Sequence, residues 1–409
     1  MKKWLLVLVA VLLVSSFLML SCSTTTTTPP KTTASAPPAS TAAPAPTSTA
    51  APAPTSTAAP APASSAPPAS SSAAPAKTYK FTYNNFFPPT HNNSILAEMW
   101  ISEITKKTNG AVTFSYLPGG SLTAPPKVYD GVTTGISDIG FSVVAYTPGL
   151  FPATELIDLP QGYPSGYVAT MVANDFYNQF KPAEFDKVHV FYFYATGPQV
   201  LFTTKTAVNK LEDMKGLVLR STGVGASIAT ALGASGYAAA QNEAYELMSK
   251  GTISGSIAPR EVLLGWKQAE VVNYVTECLD IGSVSNMYVI MNKDKWNSLP
   301  ADIQKVFSDT SATWVEYHAK VSSAYDQGGM VYFKAQPNRK EILLSADESA
   351  RWVTAVQPLL NKTIADIKGK GLAGDDFEKY IKDRTKYWAG KAVSDADCAT
   401  WVQANVKKP

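Results

Sequence analysis

Cysteine and histidine are scarce, with three of each in 409 residues. His91, His189 and His318 stand far apart without metal-ligand spacing, and His189 sits in the strand-like run "VHVFYFYA", where a histidine reads as core. No metal and no cofactor is therefore expected. An excess of either charge is also missing: the formal net charge is +3, which implies neither a nucleic-acid face nor a polybasic membrane patch. Common catalytic signatures are absent too, with no Gly-x-Ser-x-Gly elbow, no phosphate loop and no His-Glu-x-x-His. "GVGASIATALGASG" opens with Gly-x-Gly after a strand, but Ile228 occupies the place of the third glycine of a dinucleotide fingerprint. Binding rather than catalysis is expected, and a secreted hydrolase is the distant alternative.

The one long apolar run is N-terminal. Lys2 and Lys3 precede Trp4 to Leu13, and the segment closes on Leu18-Met19-Leu20-Ser21-Cys22. A charged start, a short apolar stretch and small residues before the cysteine predict a secretory signal over 1–21 rather than a transmembrane helix. The ending resembles the bacterial lipobox, which implies that Cys22 is lipidated, becomes the mature N-terminus and anchors the chain to the membrane outside the cytoplasm, in a periplasm or on an outer face. Without Lys2 and Lys3 the 35 basic side chains become 33, against 32 acidic ones. Cys278 and Cys398 read as two small apolar residues, with a disulfide between them as the alternative.

Residues 22–77 are almost entirely Thr, Ser, Ala and Pro, and "STAAPAPT" occurs at 40–47 and 48–55 before returning as "STAAPAPA" at 56–63. Apart from proline, nothing apolar larger than alanine is available to bury there, so the repeat predicts a disordered tether rather than a solenoid. Proline at this density favours polyproline II at about 3.1 Å per residue, which gives a reach on the order of 150 Å.

From Thr78 onward strand-like and helix-like runs alternate. "KFTYNNFF", "AVTFSYLPGG" and "ISDIGFSVVAY" read as strands around "SILAEMWISEITKKTNG" and "PPKVYDGVTTG", a β-α-β-α-β rhythm that predicts a parallel sheet. A second unit is expected to start at Val188 with "VHVFYFYA", "VLFTT" and "GLVLRS". "SNMYVIMNKDKW" then reads as a strand returning to the first unit, followed by a long helix from about Pro300 to Ala335. The fold class is α/β, in two lobes: 78–187 with about 280–409, and 188–279. Arg220 closes "GLVLRST" at the carboxyl end of a strand, where open parallel sheets bind ligands.

"NKLEDMKGLVLRSTG" resembles the core motif of the solute-binding proteins of tripartite ATP-independent periplasmic (TRAP) transporters. "KTNGAVTFSYLPGGSL", "GISDIGFSVVAYTPGLFPATELIDLP" and "VIMNKDKWNSLPADIQKVF" are similar to further family elements in the right order, so that the likeness covers nearly all of 78–335. It implies a two-domain clamshell with crossing strands and a long bridging helix, which hands an organic acid to the permease subunits of an ion-gradient-driven transporter. It also implies that Arg220 clamps the acid's carboxylate. A guanidinium suits that task, being planar, permanently charged and able to offer paired donors. A sensor or scavenger of the same fold, signalling to a membrane partner without transport, is the alternative reading. A monomer is expected.

Departures from the family pattern point to an apolar pocket. Gln199 stands near the place of a second arginine, and Ala258, in "SGSIAP", takes the place of the asparagine of "DGQENP". Phe86 and Phe87 fill the loop after the first strand, Val143 or Val144 replaces a polar position, and Tyr146 follows. Gln241, in "AAAQNEAY", is a weaker candidate for a polar contact. One charged end and an apolar remainder predict a monocarboxylate with an aliphatic or aromatic body.

Overall fold

The computed structural model describes residues 77–409; the leader, Cys22 and the tether up to residue 76 lie outside the described residues. The chain begins with β1 (Tyr79–Asn85), α1 (Asn92–Lys107), β2 (Val112–Leu117), α2 (Val128–Thr133), β3 (Ile139–Val143), α3 (Gly166–Phe180) and β4 (Val188–Ala195). It continues through β5 (Gln199–Thr203), β6 (Val218–Ser221), α4 (Gly223–Ala231), β7 (Ser235–Ala238), α5 (Gln241–Ser249), β8 (Gly255–Pro259), α6 (Val262–Gly265) and β9 (Tyr274–Glu277). β10 (Asn286–Asn292), α7 (Lys293–Asn297), α8 (Ala301–Lys334), β11 (Lys340–Leu343), α9 (Ala346–Gly369), α10 (Gly374–Ala389) and α11 (Asp395–Asn405) complete it.

The local signals explain the elements. In α1 the apolar Leu96, Trp100 and Ile104 recur every four residues and are all buried, His91 caps the start by accepting the Asn93 N–H, and Lys106 and Lys107 lie in the last turn. That arrangement buries one stripe and complements the helix dipole.

Two sheets form two lobes. The first has the order β2-β1-β3-β10-β4, and the second β11-β9-β5-β8-β6-β7. β1, β2 and β3 are parallel as the rhythm predicts, but β10 runs antiparallel to both β3 and β4, so the sheet is mixed. The expected start of the second lobe at Val188 needs correction. β4 pairs with β10 from Val188↔Asn292 to Ala195↔Asn286 and belongs to the first sheet; the crossing is the Thr196-Gly197-Pro198 break that follows it. The C-terminal boundary shifts as well. β11, expected in the first lobe, adds to β9 at the edge of the second sheet.

Two helices span both cores. The long helix α8 is about 50 Å in length at 1.5 Å per residue; it puts Phe307 and Trp314 into the core of the first lobe and Met330 and Phe333 into that of the second. α9 does the same in reverse, with Trp352 and Val356 in the second core and Leu360, Ile364 and Ile367 in the first. Each large apolar side chain so buried is worth about 1.5–3 kcal/mol, so the bridge is anchored at both ends. Between its anchors α8 touches the crossing: a Cβ at Gly197 would lie 2.3 Å from Asp326 Oδ2, which makes glycine the residue that lets this strand link pass the buried aspartate. Cys278 and Cys398 are separate free thiols, both buried. Among the described residues no helix is long and apolar enough to cross a membrane.

Candidate functional site

Arg220 is the third residue of β6, in register with Ser256 of the parallel neighbour β8 and Tyr237 of β7. Its side chain is 1% exposed. Nε and Nη2 donate to the Ala239 carbonyl at 3.1 and 2.8 Å, and Nη1 donates to Gln241 Oε1 at 2.5 Å. A guanidinium has five N–H donors, so one on each terminal nitrogen remains outside these bonds. The other arginine ion pairs among the described residues involve Arg260, Arg351 and Arg384; Arg220 has no carboxylate within that range. Burial pulls its pKa below the ordinary arginine value, opposed by the adjacent Tyr146 hydroxyl and Glu243. A buried cation without a counter-ion is costly unless something arrives to neutralise it.

The space in front of Arg220 is a narrow slot between the lobes. The eight residues singled out in the sequence, Phe86, Phe87, Val143, Tyr146, Gln199, Arg220, Gln241 and Ala258, all line it. Of the two valines considered, Val143 faces the cavity and Val144 packs in the first core.

Three surfaces make up the slot. Phe86 and Phe87, in the loop after β1, stack at 4.1 Å and are both buried. They form one apolar wall, and Phe87 is fixed by its N–H donating to Asn85 Oδ1 at 2.6 Å. Tyr146 closes the short turn after β3 and bridges the lobes: the Gln241 N–H, at the start of α5, donates to its hydroxyl oxygen at 2.8 Å. Burial pushes the Tyr146 phenol above its usual range, with Arg220 acting against this. Gln241 Nε2 is buried without a hydrogen-bond partner. Its orientation is fixed because only the carbonyl oxygen can face the Arg220 donors.

Gln199 plays a different part. Its Nε2 donates to Ser285 Oγ at 3.0 Å, and Ser283 Oγ donates to its Oε1 at 3.5 Å, so the amide ties β5 to the segment that returns to the first lobe. Ala258 and its neighbour Ile257 present apolar surface from β8.

Sequence reasoning missed Trp266, Glu261, Thr196, Ser285 and Met287, which also line the slot. Glu261 follows β8 and could have been found by the rule that identified Arg220, since it comes just after the carboxyl end of the adjacent strand. It is 6% exposed and pairs with His91 of the first lobe at 3.1 Å. His91 Nδ1 accepts the Asn93 N–H, which leaves Nε2 to donate to Glu261. The Glu261 backbone N–H in turn donates to Asp326 Oδ1 on α8 at 3.2 Å. His189, in contrast, stacks on Trp296 at 3.5 Å, and burial with Lys293 and Lys181 nearby lowers its pKa to about 4. Among the described residues no group of three or more His, Cys, Asp or Glu is placed to hold a metal ion.

The architecture and the chain have close parallels. A TRAP periplasmic solute-binding protein from Desulfovibrio salexigens superimposes with a TM-score of 0.68 at 28% identity, covering 77% of this chain and 98% of that one. One from Bordetella bronchiseptica, with bound (R)- and (S)-mandelate, gives 0.71 at 26% identity over 76% of this chain and 99% of that one. A monocarboxylate 2-oxoacid-binding periplasmic protein of Nostoc is 24% identical over 249 residues, 59% of this chain and 66% of that protein, so the match spans just under two thirds of that relative. The model of bacterial extracellular solute-binding protein family 7, the DctP family, matches residues 83–366. The match spans more than half of the chain, and this chain belongs to that family as a TRAP-type solute-binding protein rather than an enzyme.

Proposed function

We propose that the protein is an extracytoplasmic receptor for a monocarboxylate with an apolar, aromatic or branched aliphatic body, which it hands to a TRAP permease. The observation that carries the reading is Arg220: a fully buried guanidinium, without a carboxylate partner among the described residues, at one end of a slot whose walls include Phe86, Phe87, Val143, Ile257 and Ala258. The carboxylate would take the free N–H groups of Arg220 and the unpartnered Gln241 Nε2, and the body would lie against the phenylalanines. The relatives fit this size and charge, one holding mandelate and one named for 2-oxoacids.

A second carboxylate would meet no second cation among the residues that line the slot, at about 1–3 kcal/mol for an unsatisfied group. A thermal-shift panel tests the proposal: mandelate, phenylacetate and branched 2-oxoacids should raise the melting temperature more than succinate, malate or glucuronate, and added divalent cations should leave the ranking unchanged. A clear preference for succinate or glucuronate would contradict it. Delivery to a permease, a lipid on Cys22 and a monomeric state complete the proposal; lipidation is tested by mass spectrometry of the membrane fraction, with Cys22→Ser expected to release soluble, folded protein.

A further inference from the structure

We propose that Trp266 determines specificity by donating its indole N–H to a neutral oxygen on the ligand's body, at the end of the slot remote from the carboxylate. This rests on the reading that a carboxylate pairs with Arg220, and it adds what the other end recognises.

Trp266 directly follows α6 in the second lobe and inserts into aromatic residues of the first. Its ring lies 6.2 Å from Phe86 at an interplanar angle of 20°, 5.9 Å from Phe87 and 5.6 Å from His91. The indole nitrogen is buried, the residue lines the cavity, and Nε1 has no hydrogen-bond partner. An indole N–H can only donate, and a buried donor left unmade is costly. A ligand oxygen is the acceptor that the slot can supply.

The position of that oxygen follows from Phe86. Tyr146, whose hydroxyl lies beside Arg220, packs on the same phenylalanine at 5.7 Å and makes no ring contact with Trp266. Phe86 therefore touches both Tyr146, beside Arg220, and Trp266. Gln241 Nε2, the other unpartnered donor lining the slot, belongs to the carboxylate end, because its own oxygen is held by Arg220.

Charge decides which oxygen is accepted. The turn carrying Trp266 packs directly on the Glu261–His91 pair: a Cβ at Gly265 would stand 2.8 Å from His91 Nε2 and 2.9 Å from Glu261 Oε2. Glu261 also lines the slot. A second carboxylate at this end would face that acidic group, whereas a phenol, alcohol or ketone oxygen takes the indole proton without adding charge.

The test measures affinities of matched acids by calorimetry: phenylacetate against its meta- and para-hydroxy derivatives, and hexanoate against 5-oxohexanoate, on wild type and Trp266→Phe. In wild type at least one oxygenated acid should bind on the order of five- to tenfold more tightly than its parent, the size of one neutral hydrogen bond. Trp266→Phe keeps an apolar ring without the N–H and should bring that ratio to about one. An unchanged ratio in the variant, or no preference for oxygen in wild type, would overturn the inference while leaving the carboxylate reading intact. Should none of these acids bind wild type, both readings fall together. If the variant does not fold, the indole N–H resonance of Trp266 in wild type decides: it should move downfield with the oxygenated acid and stay in place with the parent, and equal shifts for both would overturn the inference.

Discussion

Arg220 and Arg260 stand at the ends of adjacent parallel strands of one sheet, and the chain treats them in opposite ways. Arg260, just past β8, has a side chain 19% exposed and forms a two-point pair with Glu277, Nε donating to Oε1 at 3.1 Å and Nη2 to Oε2. Burial works to lower its pKa, but Glu277 more than offsets this and holds it above the ordinary value. Arg220 is buried more deeply, has a carbonyl, an amide and the Tyr146 hydroxyl beside it but no carboxylate partner among the described residues, and is shifted down. Two guanidiniums about forty residues apart therefore separate into a cation neutralised from within and a buried cation without a carboxylate partner among the described residues, the one proposed above to meet a ligand.

The comparison can be broken from either side. Arg220→Ala should cost on the order of 3 kcal/mol or more of affinity, since it leaves the ligand carboxylate unpaired, while the unfolding free energy of the ligand-free protein stays nearly unchanged in a denaturant titration. A large loss of stability with affinity retained would reverse the two roles. Glu277→Gln should do the opposite. It should lower stability by about 2–3 kcal/mol, less than the roughly 3–5 kcal/mol of breaking a fully buried pair because Arg260 keeps some solvent, and leave the dissociation constant within about twofold.

Asp326 sharpens the Arg260 side of the comparison. Its carboxyl is pushed up to about 7, chiefly by burial, with Glu261 and Glu277 adding and Arg260 opposing. The protonated form is therefore favoured in the folded state. Its stabilising contribution is fully present below about pH 4, the range of an unfolded aspartate, and is lost as pH rises to about 7. Melting temperatures of wild type should fall relative to those of Asp326→Asn across that window and run parallel above it; parallel curves throughout would contradict the assignment. The smallest effect is expected at Gln199. Gln199→Leu should cost about 1 kcal/mol of stability through the orphaned Ser285 and Ser283 and leave the ranking of acids unchanged in the thermal-shift panel.

The Arg220 half of the comparison was legible in the sequence and the Arg260 half was not. Arg220 closes an apolar strand, so its burial and its place at a strand end follow from the pattern. Phe86 and Phe87 were found from their place in the loop after the first strand, and Tyr146 and Ala258 from departures from the family pattern. Arg260 and Glu277 meet across the sheet through a register that no local pattern encodes. Trp266 was missed for a related reason: it follows a four-residue helix too short to show periodicity, and its partners lie in the other lobe. The misplaced lobe boundary has a comparable origin. β4 and β5 are both apolar runs separated by three residues, and only the pairing of β4 with β10 shows that the chain has not yet crossed. Local composition specified the elements and one wall of the slot; contacts between distant segments specified the rest.

The most direct test of the central claim compares (R)-mandelate with its neutral amide on wild type and Arg220→Gln by calorimetry. The account predicts that wild type favours the acid by on the order of a hundredfold or more, as expected when a buried charge pair is formed in only one complex, and that Arg220→Gln binds acid and amide about equally. Equal binding of the two by wild type, or undiminished preference for the acid in Arg220→Gln, would contradict it.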